Sequence, residues 1–299
     1  MIKRLAVIGV GLIGGSLARA LRAADAVGEI IGCGRSIENL ELALELGVID
    51  DYARDPADAV ADADMVFIAV PLGAIAGVFA QIKERLPAHA VVTDGGSVKG
   101  SVLVDAHRVF GRVPPWLVPG HPIAGTERSG VSSSFPELYQ NRRVILTPVP
   151  ETDPWAVARV RAMWEQVGSE VTEMSVKHHD EVLAATSHLP HMLAFCLVDR
   201  LARMQSHDDI FRYAAGGFRD FTRIASSSPE MWRDICLANA DALSAMLGCF
   251  GDEIRELANT IDSADAEGLL ALFERARASR ERYVDGLEPS SGGESGMLG

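Results

Sequence analysis

Residues 4–35 read RLAVIGVGLIGGSLARALRAADAVGEIIGCGR, and the rest of the chain is added to this unit. Residues 5–8 are a short apolar run, β-branched at Val7 and Ile8, as a strand buried on both faces requires. Gly9, Gly11 and Gly14 follow at once in a GxGxxG spacing, and Leu12, Leu17, Ala18 and Leu21 then recur at helical intervals. Residues 29–33 form a second short strand. Each glycine has a physical task in this setting. Gly9 allows the tight turn out of the strand, Gly11 leaves bare backbone for a pyrophosphate, and Gly14 lets the helix lie close to the strand. The free N–H groups of the first helical turn, at Leu12 and Ile13, then face the phosphates with the positive dipole end behind them. A dinucleotide site is the expectation.

An NAD site usually closes its second strand with Asp or Glu, about 20 residues past the glycines, to hold the ribose hydroxyls. Gly34-Arg35-Ser36 stands there instead. No acid repels a 2′-phosphate, while a guanidinium and a hydroxyl are available to bind one. NADP is therefore favoured over NAD.

At 299 residues the chain has room for two domains and a full core. A net charge of −13 argues against nucleic acid or an anionic membrane as partner. Cys33, Cys196, Cys236 and Cys249 show no CxxC pairing and read as reduced core residues of a cytoplasmic protein. The first strand begins too early for a signal peptide, and no apolar run reaches about 18 residues, so no membrane span is expected.

Helix and strand patterns alternate through residue 174. Helices are expected over 37–47, 55–61, 75–86, 100–110 and 155–167, and strands over 65–70, 90–93, 116–119, 143–147 and 170–174. Such alternation implies a mainly parallel sheet covered on both faces, with ligands beyond the carboxyl ends of its strands. Three segments converge there: Val70-Pro71-Leu72, Gly95-Gly96-Ser97, and His121 with the polar loop after it. An imidazole at that edge is suited to take a proton from an alcohol near neutral pH. The alternative is a loop-anchoring histidine.

Residues 175–204 are periodic enough for one long helix kinked at Pro190, with Asp180, His188 and His191 on one face. That face is a substrate contact, a zinc set or a polar stripe at a domain junction. Residues 214–228, AAGGFRDFTRIASSS, are too polar for plain core. Arg219 and Arg223 there are either solvated or forked onto a carboxylate. Ser228-Pro229 starts a helix running to about residue 260, and Ser263 caps another to residue 283. Trp232, Leu237, Leu243, Met246 and Phe250 recur as a core stripe. The division expected is 1–175 for a dinucleotide-binding Rossmann-type α/β domain, 176–285 for an all-α dimerisation and substrate domain, and 286–299 for a disordered tail.

Taken together, VIGVGLIGGSLARAL, DGGSVKG, GHPIAGTERSG, SHLPH and FRDFTRIASSSPEMWRDI resemble the prephenate/arogenate (cyclohexadienyl) dehydrogenases of tyrosine biosynthesis. The resemblance implies oxidation of a ring C4 alcohol with hydride passing to NAD(P), loss of the ring carboxylate as carbon dioxide, and an aromatic product, without a metal. It implies that His121 accepts the hydroxyl proton and that Ser97 orients His121 and the nicotinamide. Thr126, Glu127, His191 and His188 become substrate neighbours, Arg223 the carboxylate clamp, and the protein a homodimer through its helical domain. Gly9, Gly11, Leu12, Ile13, Gly14, Arg35, Ser36, Val70, Pro71, Leu72 and Ser97 become the cofactor contacts. Two competing readings are a β-hydroxyacid dehydrogenase acting through Lys177, which leaves His121 and Arg223 without tasks, and an NADP-sensing module without catalysis.

Overall fold

The apolar run at the N-terminus forms β1 (Ile2–Ile8), and the glycine turn after it leads into α1 (Leu12–Ala23) and β2 (Val27–Cys33). This computed structural model describes residues 1–126, 128–205 and 207–283. The chain continues through α2 (Ile37–Glu45), β3 (Asp51–Ala53), α3 (Pro56–Val60), β4 (Met65–Ile68), α4 (Ile75–Ile82), β5 (Val91–Asp94), α5 (Lys99–Phe110) and β6 (Leu117–Val118). The six strands pair in parallel in the order β3-β2-β1-β4-β5-β6. β1 therefore has β2 on one side and β4 on the other, and the crevice at this reversal is where such sheets bind nucleotides.

Alternate side chains of the strands feed two cores. Leu5, Val7, Met65 and Phe67 face α1, α2 and α6 (Pro154–Gln166), with Trp164 edge-on to Phe67 at 5.6 Å. Ala6, Ile8, Val66 and Ile68 face α3, α4 and α5. Burying each large side chain contributes about 1.5–3 kcal/mol, and the sheet is covered on both faces, as its continuous apolar strands require.

Several elements differ from the pattern read in the sequence. The strand expected over 116–119 stops at Val118, because Pro119 has no N–H to continue the ladder. The chain then starts β7 (Gly120–Pro122) in a second sheet, antiparallel to β8 (Arg143–Leu146), which pairs in parallel with β9 (Glu170–Glu173). His121 thus stands on a strand of its own. The expected helix over 175–204 is present as α7 (Val176–Leu183), a π-helical turn at Ala184–His188, and α8 (Leu189–Ala202). The wider turn lies just ahead of Pro190, whose ring crowds the carbonyl four residues back, so the strain is taken up there. This continuous helix, Val176–Ala202, does reach the length and hydropathy of a bilayer span, contrary to the sequence expectation; it carries His179, Asp180 and His188 in buried or half-buried positions.

Residues 214–228, too polar for plain core, are half-buried or exposed throughout and form α10 (Gly216–Thr222) and a 3-10 turn, Arg223–Ser226, after α9 (His207–Arg212). The helix expected from Ser228 to residue 260 breaks at Asn239 (φ −115°, ψ 35°), which ends α11 (Pro229–Ala238) before α12 (Ala240–Asp262). α13 is Ala266–Tyr283. Only Cys33 of the four free cysteines is buried, and Cys196 and Cys249 are exposed, because the helices that carry them turn that face outward. Leu237, placed in a core stripe by its spacing, is 72 % exposed, while Trp232 and Leu243 are buried.

The chain divides into two compact units, Met1–Ser244 and Ala245–Gly299, with the division inside α12. In the second unit Leu247, Ile254 and Ile261 recur every seven residues along α12 and are exposed, as are Leu270 and Phe273 of α13. The tail 286–299 lies outside the described residues.

Candidate active site

A cleft of about 820 Å³ opens at the carboxyl ends of β1, β2 and β4. Gly9, Gly11, Arg35, Ser36, Val70 and Pro71 all line it. Gly9 has φ +102°, and a Cβ there would stand 2.3 Å from the Ala69 carbonyl oxygen. At Gly14 a Cβ would meet the Gly9 carbonyl oxygen at 2.2 Å, so α1 packs against the turn only because that position is bare. A Cβ on Gly11 would instead meet nothing within 4 Å: it would project into open space ahead of the helix N-terminus, the place a pyrophosphate needs. The cradle thus fits a dinucleotide. Leu12 and Leu72 are turned into the core rather than the cleft, and the Ile13 carbonyl accepts a 2.6 Å bond from the Tyr139 hydroxyl. Arg54, just past β3, adds a second guanidinium to the Arg35 side of the cleft. Sequence reading passed over it because β3 is only three residues long.

Beyond β5 and β7 the imidazoles come together. His121 is 9 % exposed, and its Nδ1 lies 2.9 Å from Nε2 of His179. His179 is fully buried, and its Nδ1 lies 2.8 Å from Oδ1 of Asp180. The Asp180 carboxylate also accepts the backbone N–H groups of Lys99, at 2.9 Å, and Gly100, at 2.8 Å, at the start of α5. Burial alone would raise its pKa, but these bonds together hold it below the ordinary carboxylate value. An ionised carboxylate accepts only, so His179 carries its proton on Nδ1 and presents a bare Nε2. His121 must then donate from Nδ1, which leaves its own Nε2 as a lone pair. Burial, followed by the neighbouring His179, Lys99 and His188, pushes the His121 pKa well below its usual value. The outcome is a neutral imidazole with one basic nitrogen fixed by its neighbours, the state a general base requires.

The turn that carries Ser97 is tied to the strand that carries His121. Lys99 and Asp94 are both fully buried and ion-paired, and Lys99 Nζ donates to the Gly120 carbonyl at 2.6 Å. Asp94 accepts from the N–H groups of Gly96, at 2.8 Å, and Gly120, at 3.2 Å. Ser97 sits half-buried in that turn.

His188 is 1 % exposed, and burial lowers its pKa to about 4. The ring of His191 stacks on Trp232 at 3.8 Å, and its Nδ1 bonds the Ser187 carbonyl at 2.8 Å. Its pKa falls mainly through burial, with the nearby charge of Arg223 acting in the same direction. His188, His191 and Arg223 are therefore neighbours electrostatically, and His188 acts on His121 as well. Two members of this cluster, His179 and Asn239, were not singled out from sequence. The acid–imidazole pair inside VKHHDE was the available signal for the first. Thr126 is exposed in the loop after β7, lining a separate recess of about 400 Å³ with Arg142, and its Oγ1 accepts the Arg128 N–H at 3.2 Å. Glu127 lies outside the described residues. Lys177 is a surface side chain, 87 % exposed and 3.7 Å from Glu181, away from any role among these imidazoles.

Residues 17–173 match the nucleotide-binding domain of prephenate dehydrogenase, and residues 175–275 match its dimerization domain. The chain belongs to the prephenate dehydrogenase family. Within that family it is 40 % identical to the cyclohexadienyl dehydrogenase of Zymomonas mobilis, over 93 % of this chain and 95 % of that one. It is 38 % identical to the prephenate dehydrogenase of Bacillus subtilis, over 93 % of this chain and 74 % of the relative. The fold superposes with a TM-score of 0.88 on the prephenate dehydrogenase of A. aeolicus crystallised with hydroxyphenyl propionate and NAD+, at 37 % identity over 94 % of this chain and 98 % of that one. For the arogenate dehydrogenase of Synechocystis the TM-score is 0.79 at 28 % identity, covering 94 % and 99 % of the two chains. This prephenate dehydrogenase family member is thus an NAD(P)-dependent oxidoreductase with a Rossmann-type domain.

Proposed function

We propose that the chain catalyses oxidative decarboxylation of prephenate or arogenate, with NADP the preferred acceptor, as a cytoplasmic homodimer in tyrosine biosynthesis. Residues 1–175 serve as the dinucleotide-binding domain and 176–285 as the substrate and dimerisation domain. The observation that carries the reading is the hydrogen-bonded series Asp180–His179–His121, which ends in an unprotonated Nε2. That nitrogen takes the proton of the ring C4 hydroxyl. The charge gained by His121 is stabilised through His179 by the Asp180 carboxylate. Bound nicotinamide supplies the hydride acceptor. As C4 loses hydride and proton, it becomes a carbonyl conjugated to the two ring double bonds, which can accept the electron pair released at the carbon that bears the carboxylate. The carboxylate then leaves as carbon dioxide, and the ring becomes aromatic in 4-hydroxyphenylpyruvate or tyrosine.

Arg223 holds a substrate carboxylate, with His188 and His191 around the rest of the molecule and Thr126 and Glu127 the proposed contacts from the loop after β7; Ser97 would orient His121 and a bound nicotinamide. Arg35 and Arg54 support NADP, since their guanidiniums both line that end of the cleft, where the Ser36 hydroxyl donates to Glu38 at 2.8 Å. Purified protein is tested by the absorbance of reduced cofactor, with prephenate and arogenate each offered with NAD and NADP. Turnover of either substrate, faster with NADP, is the expected result. A flat trace in all four combinations refutes the reaction. Arg35→Asp is expected to lower the NADP-over-NAD ratio of kcat/KM by about 10-fold or more, as a charged bond to the 2′-phosphate is lost.

A further inference from the structure

Asn239 stands where a long helix breaks, and its side chain reaches the helix that carries Asp180 and His188. Nδ2 donates to the Asp180 carbonyl at 2.9 Å. A carbonyl oxygen accepts only, so the amide orientation is fixed: the NH2 group, not the oxygen, points to this side. The same Nδ2 lies 3.2 Å from Nδ1 of His188. Its second hydrogen therefore goes to that ring nitrogen, and Nδ1 of His188 is an acceptor. The ring proton must be on Nε2. That nitrogen is buried with no hydrogen-bond partner among the described residues, and so is the indole N–H of Trp232, whose ring lies edge-on to His188 at 6.0 Å. Burial also keeps His188 neutral, so the second proton that would blur this assignment is absent near pH 7.

We infer that Asn239 is a positioning residue that locks His188 as an Nε2–H donor, and that this donor holds a carboxylate oxygen of the substrate. His121 and His188 thereby take opposite tautomers within one electrostatic cluster, one a base and the other a donor, each set by a hydrogen-bond partner from another element. A buried N–H without an acceptor is destabilising, and an anionic substrate supplies the acceptor. A substrate with two carboxylates needs donors beyond Arg223. The inference rests on the reaction assigned above for the identity of the ligand, not for the tautomer.

Nitrogen-15 NMR of histidine-labelled full-length protein reads the tautomer directly, and the expected spectrum has His188 protonated at Nε2 and bare at Nδ1. Asn239→Asp places an acceptor at Nδ1 and draws the proton there. The prephenate KM is then expected to rise by about 10-fold or more, with a smaller change in kcat. In a His188→Ala background the same substitution is expected to add no further rise, which a general loss of structure would not reproduce. A wild-type spectrum with the proton on Nδ1, or a folded Asn239→Asp enzyme with unchanged KM, overturns the inference. If the wild type turns over neither prephenate nor arogenate, the reaction fails, and the spectrum alone then decides whether Asn239 sets the tautomer.

Discussion

His121, the proposed base, would act through a nitrogen that carries no proton. Its Nδ1 is engaged by His179, and Nε2 is left bare because Asp180, two bonds away, cannot donate. His121→Asn keeps a group of similar polarity but removes the base, so kcat is expected to fall by about 100-fold or more, with cofactor affinity measured by fluorescence titration little changed. The same imidazoles make stability depend on pH. His188 titrates near 4 in the fold against an ordinary value of 6.5. As pH falls below 6.5 the unfolded chain takes up the proton first, so stability is lost between about pH 6.5 and 4, by on the order of 3 kcal/mol from this residue. Burial lowers the pKa of His121 and His179 too, so they act with the same sign. Urea unfolding at pH 7.5, 6 and 5 is expected to show a steadily falling midpoint, and a flat midpoint would contradict the burial of these rings as neutral species. His121 was legible as a candidate because its strand-end position and the polar loop after it both lie in the sequence. His179 was not, because its partnership with His121 joins residues 58 positions apart.

At the scale of elements, the glycine turn separates two kinds of requirement. Gly14 serves packing: its Cβ would collide with backbone at 2.2 Å. Gly14→Ala is expected to lower the melting temperature by several degrees, as about 1–3 kcal/mol of overpacking does. Gly11 is bare for no packing reason, since its Cβ would meet no atom of the described residues within 4 Å, and its proposed role is toward the ligand. Gly11→Ala is expected to melt with the wild type while binding NADP or NAD about 10-fold more weakly or worse, measured by calorimetric titration. Equal damage from both substitutions to both properties would deny the distinction. The helix that carries His179 and His188 shows the limit of periodicity. A uniform 3.6-residue repeat places Asp180, His188 and His191 on one stripe, but the π turn at Ala184–His188 shifts the register part-way along. Asp180 and His188 are then joined through Asn239, from the break between α11 and α12.

The whole molecule leaves an apolar stripe on its C-terminal helices. Leu247, Ile254, Ile261, Leu270 and Phe273 are exposed along α12 and α13. Apolar side chains exposed at intervals along helices suit an interaction surface, and a second copy of the chain is its proposed occupant, as the match of residues 175–275 to a dimerization domain supports. Ile254→Asp with Phe273→Asp is expected to shift the protein from dimer toward monomer in analytical ultracentrifugation; a monomeric wild type would remove the proposal. The glycine spacing, the alternating strand and helix patterns and the missing acid after β2 are local properties, and the sequence alone determined from them the parallel sheet, the position of the nucleotide cleft and the charge at its ribose end. Hydrogen-bond direction is not local. Which nitrogen of His121 is bare and which nitrogen of His188 carries a proton depends on single-acting partners brought from other elements, and only the tertiary structure decided that.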